Sequence, residues 1–225
     1  MGNRIRPATP LDIVRLSVPP AESLRLDLGR QLLSPHHPWR GFLLTWMGLG
    51  QPLHTLLRWG EHGLLACVQA QANGSWWEVC YLAVWKSALE HVAALWEELL
   101  LALGQEAGRH GAVRMLARLP SEEHLPPFQQ AGFVPFAEET ILLWDGATAP
   151  AADTLPDLLP MQPHHLEAVQ QLRLRLTPPI AQHAEGTNSD ARGPYGAETW
   201  VWPVSYTHLR AHETPEHLVC RLLLE

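Results

Sequence analysis

A single lysine, Lys86, stands among the sixteen basic residues of this 225-residue chain, and no stretch concentrates Lys and Arg. The formal net charge is -7, and without clustered Lys and Arg to neutralise phosphates the sequence argues against a nucleic-acid binder. Cysteine is almost as scarce. Cys67, Cys80 and Cys220 form no C-x-x-C pair, which argues against a disulfide framework or a cysteine zinc site and fits a compartment that keeps thiols reduced. No apolar run reaches the length of a bilayer span, and the opening "MGNRIRPATP" lacks the apolar segment of a signal peptide. The expectation is a cytoplasmic protein that engages neither membrane nor nucleic acid.

What the chain does contain is apolar material, at 46% of positions, enough to bury one substantial core and part of a second. The near-exclusive use of arginine, with abundant Ala, Gly, Pro and Trp, points to translation from GC-rich DNA. The last stretch, "PVSYTHLRAHETPEHLVCRLLLE", is of another character. Residues 204–214 can be encoded by the transposase end and read primer of a sequencing library, and "LVCRLLLE" by the adapter that follows its index. Residues 203–225 are therefore expected to be adapter read-through rather than evolved sequence.

An ordered repeat links two parts of the rest. "IRPATPLDIVRL" aligns with "LLPMQPHHLEAV" at an offset that sets Pro7 on Pro160, Pro10 on Pro163, Ile13 on Leu166 and Leu16 on Val169. Between the copies, "DGATAPAADTLPD" has the small residues and prolines of a linker. The organisation this implies is a complete domain over residues 1–145, a linker over 146–157, the start of a second, similar and truncated domain over 158–202, and the artefactual tail.

Within the first domain, strand and helix signals alternate. "RIRPA" reads as a strand, and Thr9-Pro10-Leu11-Asp12 supplies an N-cap, a first-turn proline and an acid. "AESLRLDLGRQLLS" reads as an amphipathic helix. Antiparallel strands follow at 55–59, 64–72 and 76–85, joined by turns at residues 60–63 and at Asn73-Gly74. Ser87-Ala88-Leu89-Glu90 has the form of a capping box, and Leu89, Val92, Leu95 or Trp96, Leu99, Leu103 and Ala107 recur at helical spacing until Gly111. "AVRMLARL" reads as a further buried strand, then comes a short helix ending at Gly132, and "FVPFAEETILLW" reads as two closing strands.

This order, with a long helix after the fourth strand, resembles the Gcn5-related N-acetyltransferase superfamily, known as GNAT. The resemblance covers residues 5–144 and is carried by "IRPATPLDI", "LLLALGQEAGRHGAVRMLARL" and "PFQQAGFVPF". It implies an α/β (α+β) fold, a twisted mixed central sheet flanked by helices whose fourth and fifth strands splay apart. Acetyl-CoA, the cosubstrate, would lie in that gap with its pyrophosphate at the start of the long helix, where unpaired N–H groups and the macrodipole favour an anion. The implied chemistry is acyl transfer to the amine of a small molecule. Glu78 would be the base that deprotonates it, and the backbone amide of Leu82, or of a neighbour up to Val84, would stabilise the thioester oxygen. The Arg/Gln-x-x-Gly-x-Gly/Ala phosphate loop of the family falls on His91-Val92-Ala93-Ala94-Leu95-Trp96, which contains neither glycine. Trp96 would set an indole where a small residue lets the backbone approach phosphate, although the helix start could still offer the amides of Ala88, Leu89 and Glu90. Where the family often has a proton-donating tyrosine, this chain has Phe128.

His36-His37 and His164-His165 are poorly spaced for a single metal and are expected to be exposed loop histidines. Trp76, Trp77 and Trp85 are expected to fill core, since alternation along a strand turns at least one of them inward. The sequence thus leaves two readings: an acetyl-CoA-dependent N-acetyltransferase-like protein, or a catalytically degenerate half that pairs with a second such domain carrying the activity.

Overall fold

The computed structural model describes residues 4–26, 43, 47, 53–61, 63–138, 159–185 and 200–201. They fall into two compact units, Met1–Pro135 and Phe136–Glu225.

Among the described residues the first unit forms a six-stranded mixed sheet with helices against both faces. It opens with β1 (Arg4–Pro7), a 3-10 turn (Pro10–Asp12) and the single-turn α1 (Ile13–Leu16). The turn is tied by Asp12, whose carboxylate accepts the Thr9 backbone N–H at 2.7 Å, the Thr9 hydroxyl at 2.8 Å and two Arg6 guanidinium bonds at 2.8 Å. Next in sequence is β2 (Glu22–Arg25). This is a correction: a helix was expected from residue 21 onward, and the alternation of Leu24 and Leu26 with Ser23 and Arg25 prevails over the helix propensity of Leu, Glu and Arg. Residues 27–34 of that expected helix lie outside the described residues.

The antiparallel strands β3 (Leu53–Gly60), β4 (Gly63–Asn73) and β5 (Trp76–Val84) are the expected ones, each within two residues of its predicted ends. A 3-10 turn (Lys86–His91) then leads into α2 (Val92–Arg109). The helix therefore begins one turn later than the Ser87 capping box predicted, and it follows the fifth strand rather than the fourth because β2 is an additional strand. Gly111 ends it as expected: at φ 79° it supports the paired bonds Ala112 N–H to Ala107 O, 2.9 Å, and Gly111 N–H to Gly108 O, 3.0 Å. Beyond come β6 (Arg114–Ala117) and α3 (Leu125–Gln130), closed in the same way at Gly132. Residues 133–138 form no strand, so the first of the two expected closing strands is not formed there.

Because β5 and β6 are parallel, the chain must cross over between them, and α2 is the crossover. Its Leu95, Trp96, Leu99, Leu100, Leu103 and Ala107 lie on one stripe and pack on Leu56, Ala66, Val68, Val79, Leu82 and Val84 of the sheet. Each leucine buried in this way contributes roughly 2 kcal/mol of hydrophobic stabilisation. The opposite face carries a smaller cluster in which Leu16 of α1 meets Leu57, Cys67, Tyr81 and Ala83.

The second unit contains β7 (Leu159–Pro160), a 3-10 turn (Pro163–His165), α4 (Leu166–Leu176), α5 (Pro179–Glu185) and β8 (Trp200–Val201), which pairs antiparallel with β7. Its opening repeats that of the first unit in backbone geometry. Thr9 has φ -114° and ψ 163°, and Gln162, at the aligned position, has φ -113° and ψ 162°. In both, the residue three positions on returns its side chain to the capping N–H: Asp12 Oδ2 at 2.7 Å and His165 Nδ1 at 3.2 Å. No helix among the described residues is long and apolar enough to cross a membrane.

Candidate functional site

The site predicted from sequence lies along β5, and a one-residue irregularity there arranges it. Gln69 pairs with Tyr81 and Ala70 with Val79, so the register shifts and Cys80 is the extra residue of a β-bulge. The bulge reverses the alternation. Trp77 and Val79 face α2 before it, Leu82 and Val84 face α2 after it, and Glu78 and Tyr81 share the other face.

The same point divides the outer edge of β5 between two partners. Residues 76–79 pair in parallel with β6, from Trp76 with Arg114 to Val79 with Ala117. Residues 81–84 pair antiparallel with β2, from Tyr81 with Arg25 to Val84 with Glu22. The two contacts are extended by the Leu26 N–H to Cys80 O and the Ala21 N–H to Val84 O, each 2.9 Å. The fifth and sixth strands therefore separate at the bulge, and the backbone edge beyond it is covered by the chain's own β2.

Glu78 is buried, at 8% exposure, beside that separation. Its carboxylate is ion-paired to the guanidinium of Arg118, just past the end of β6. Two rows of polar side chains cross this face of the sheet. Thr55, Gln69 and Tyr81 form one, with Gln69 Nε2 donating to Thr55 Oγ1 at 3.2 Å, and Gln71 and Glu78 stand in the next. Burial pushes the Tyr81 phenol up to about 12, against the Ser23 hydrogen bond and the Arg25 charge that lower it, so the hydroxyl keeps its proton at neutral pH. Burial likewise raises the Cys67 thiol to about 12, which removes it as a nucleophile.

The remaining predicted residues are distributed as follows. Leu82 and Val84 are fully buried, their side chains in the main core and their backbone on the edge paired with β2. Ala88 is buried, and its N–H donates to Trp85 O at 2.9 Å inside the 3-10 turn, so that amide is not presented to an anion as predicted. Leu89 and His91 are exposed. Trp96 takes the inward position that the helical spacing through Leu95 or Trp96 allowed: its side chain is 3% exposed, packed in the core with the His124 ring edge-on at 6.1 Å, and it does not stand over the helix start. The helical position decides this, since Trp96 shares the inward stripe with Leu99, Leu100 and Leu103. The exposed surface of the first turn is instead made by the small side chains of Ala93 and Ala94.

Sequence reasoning did not find Arg118 or Tyr81. Nor did it find a ring stack at the other end of α2, where His54 lies 4.0 Å from Trp77 and 4.9 Å from His110 between ring centroids. Among the described residues no group of three or more His, Cys, Asp or Glu is arranged to hold a metal. His165 uses Nδ1 to cap a turn, and His36-His37 lie outside the described residues.

No protein-family model matches the sequence, and no curated protein matches it. Solved structures do show similarity to it. The aminoglycoside N-acetyltransferase AAC(6')-Iy, in complex with the bisubstrate analogue CoA-S-monomethyl-acetylneamine, is 16% identical with a TM-score of 0.43 over 64% of this chain and 98% of that one. A GNAT family acetyltransferase from Staphylococcus aureus is 12% identical with a TM-score of 0.41, over 64% of this chain and 100% of its own. The aminoglycoside 6'-N-acetyltransferase AAC(6')-Ih from Acinetobacter baumannii is 15% identical with a TM-score of 0.41, over 64% and 99%.

Proposed function

We propose that the first unit is an acetyl-CoA-dependent N-acyltransferase-like domain acting on the amine of a small molecule. One observation carries the reading. In the middle of a mixed sheet, β6 leaves the edge of β5 at a bulge, and a buried carboxylate, Glu78, stands at the point of separation. The edge of β5 that β6 has left would offer backbone N–H groups to an amide-bearing acyl carrier in place of those it now shares with β2, and a carboxylate beside it is suited to remove a proton from an incoming ammonium. The donor's phosphates would then approach the start of α2, where His91 and Ala94 are exposed and an 18-residue helix directs its dipole. The balanced reaction takes one proton from the ammonium to Glu78, directly or through water. The free amine adds to the thioester carbon, the nitrogen sheds its second proton as the amide forms, the carbon–sulfur bond breaks, and that second proton is relayed through a hydroxyl to the departing thiolate. Tyr81, which retains its proton at neutral pH, is a candidate for that last transfer.

A second reading is favoured by two specific contacts, the Arg118 guanidinium on Glu78 and β2 along residues 81–84. Both groups the chemistry needs are engaged within the protein, as befits a degenerate half that supports a partner domain. The second unit supplies a candidate partner. Its strand, 3-10 turn and helix repeat the opening of the first unit, and β8 lies beside β7 as β3 lies beside β1. On this view residues 158–202 begin a second domain of the same kind.

The two readings separate in one measurement, the thermal unfolding midpoint of the full chain with and without acetyl-CoA. A ligand that binds only the folded state at 100 times its dissociation constant adds about 2.7 kcal/mol. An upward shift supports the acyltransferase reading, and no shift at millimolar ligand leaves the scaffold reading in its place.

A further inference from the structure

The contact between β2 and β5 has the features of an edge occupied from within. Leu24 and Leu26 are 5% and 0% exposed and belong to the same core cluster as Leu82, Val84 and Trp96. On the other face the Ser23 side chain hydrogen-bonds Tyr81. Yet β2 is four residues long, Glu22, Ser23 and Arg25 are exposed, and no other strand among the described residues pairs with it. Among the described residues its hold includes two leucines, the Ser23–Tyr81 hydrogen bond and one row of backbone bonds, along the stretch of β5 that β6 relinquishes.

We propose that β2 is a built-in plug of the acyl-donor cleft: residues 22–26 take the backbone hydrogen bonds of residues 80–84 that the arm of the donor would otherwise take, so β2 docking and donor binding are mutually exclusive. This rests on the acyltransferase reading of the same edge. The occupant is covalently attached and meets its site at high effective concentration, whereas a free donor must displace it. The apparent dissociation constant is therefore the intrinsic one divided by the fraction of molecules in which β2 is undocked. Anything that loosens β2 tightens donor binding, and anything that fastens it abolishes binding.

Fastening and loosening can each be done in the full chain. Ser23 and Ala83 are directly opposite one another, so Ser23→Cys with Ala83→Cys can be oxidised to a cross-strand disulfide. Cys67→Ala is added because Cys67 is the neighbour of Ala83 on its other side. Leu24→Ala with Leu26→Ala loosens the strand, and cooperative thermal unfolding shows which variants fold. Calorimetric titration with acetyl-CoA is expected to find no binding to the oxidised protein, binding restored on reduction, and at least tenfold tighter binding to the leucine variant than to the wild type. If the leucine variant does not fold, the oxidised and reduced forms of the cysteine variant decide alone. Oxidised and reduced forms binding acetyl-CoA within twofold of each other would overturn the plug and leave the acyltransferase reading standing. If no form binds at millimolar acetyl-CoA, the acyltransferase reading fails and the plug with it.

Discussion

Arg118 donates from its guanidinium to the carboxylate of Glu78, forty residues earlier in the chain, and joins the strand before the crossover helix to the strand after it. Both side chains are largely buried, so removing one partner exposes the other to the cost of a poorly solvated charge. Arg118→Leu is expected to lower stability by on the order of 2 kcal/mol, read as a shift in urea midpoint with unchanged slope. Glu78→Gln tests the base assignment separately. On the acyltransferase reading it lowers kcat with acetyl-CoA by about 100-fold or more at constant donor affinity. Equal loss of donor affinity would assign Glu78 a structural part instead.

Asp12 gives a pH dependence of definite sign. Burial opposes its ionisation, but Arg6 and the Thr9 N–H and hydroxyl prevail and hold the carboxyl at about 2, below its ordinary 3.8. The ionised form is thus the one the fold stabilises. Its contribution, about 2 kcal/mol, is complete above about pH 4 and is lost as pH falls through 2. Wild type and Asp12→Asn, compared by urea unfolding between pH 5 and pH 1.5, should differ fully at the upper end and converge at the lower. A constant difference across that range would show that Asp12 acts through shape alone.

His54 acts at milder acidity. Burial depresses it below its ordinary 6.5, with His110 adding to the effect and Glu106 opposing it, so the fold prefers the neutral ring stacked on Trp77. The associated stability is present above pH 6.5 and is lost as pH falls through the depressed value. His54→Phe keeps the stack without the titration. Its unfolding midpoint should therefore depend less on pH below 6.5 than that of the wild type, and parallel curves would remove His54 from the account.

Much of this architecture was legible because it rests on local rules. Gly111 marks the end of α2 since the turn needs a positive φ, and the places of β3, β4 and β5 follow from their strand-forming runs and from the turns at residues 60–63 and at Asn73-Gly74. The misreadings have equally local causes. Leu24 and Leu26 alternate as a strand does, but they stand among strong helix formers, and only the open edge of β5, supplied by distant residues, decides between the two. Glu78 is named by the family resemblance, as the acid on the strand before the long helix. Its partner Arg118 could not be read, because the crossover that brings them together spans the whole of α2. The bulge at Cys80 has no sequence mark at all, yet it turns Glu78 and Tyr81 to the same face.

Ala94 allows stability and donor binding to be driven in opposite directions. It is exposed at the third position of α2, counted from the N-cap His91, and no acidic residue stands in that first turn. A glutamate there complements the helix dipole and is able to accept a backbone N–H, so Ala94→Glu is expected to stabilise the unliganded protein by up to about 0.5 kcal/mol. The same carboxylate would meet the phosphates of acetyl-CoA at the helix start and weaken their binding at least tenfold, an effect that added salt should reduce. A higher midpoint without ligand, together with a smaller ligand-induced shift, would assign the start of α2 as the anion-binding end of the cleft. A higher midpoint with an unchanged ligand shift would place the phosphates elsewhere.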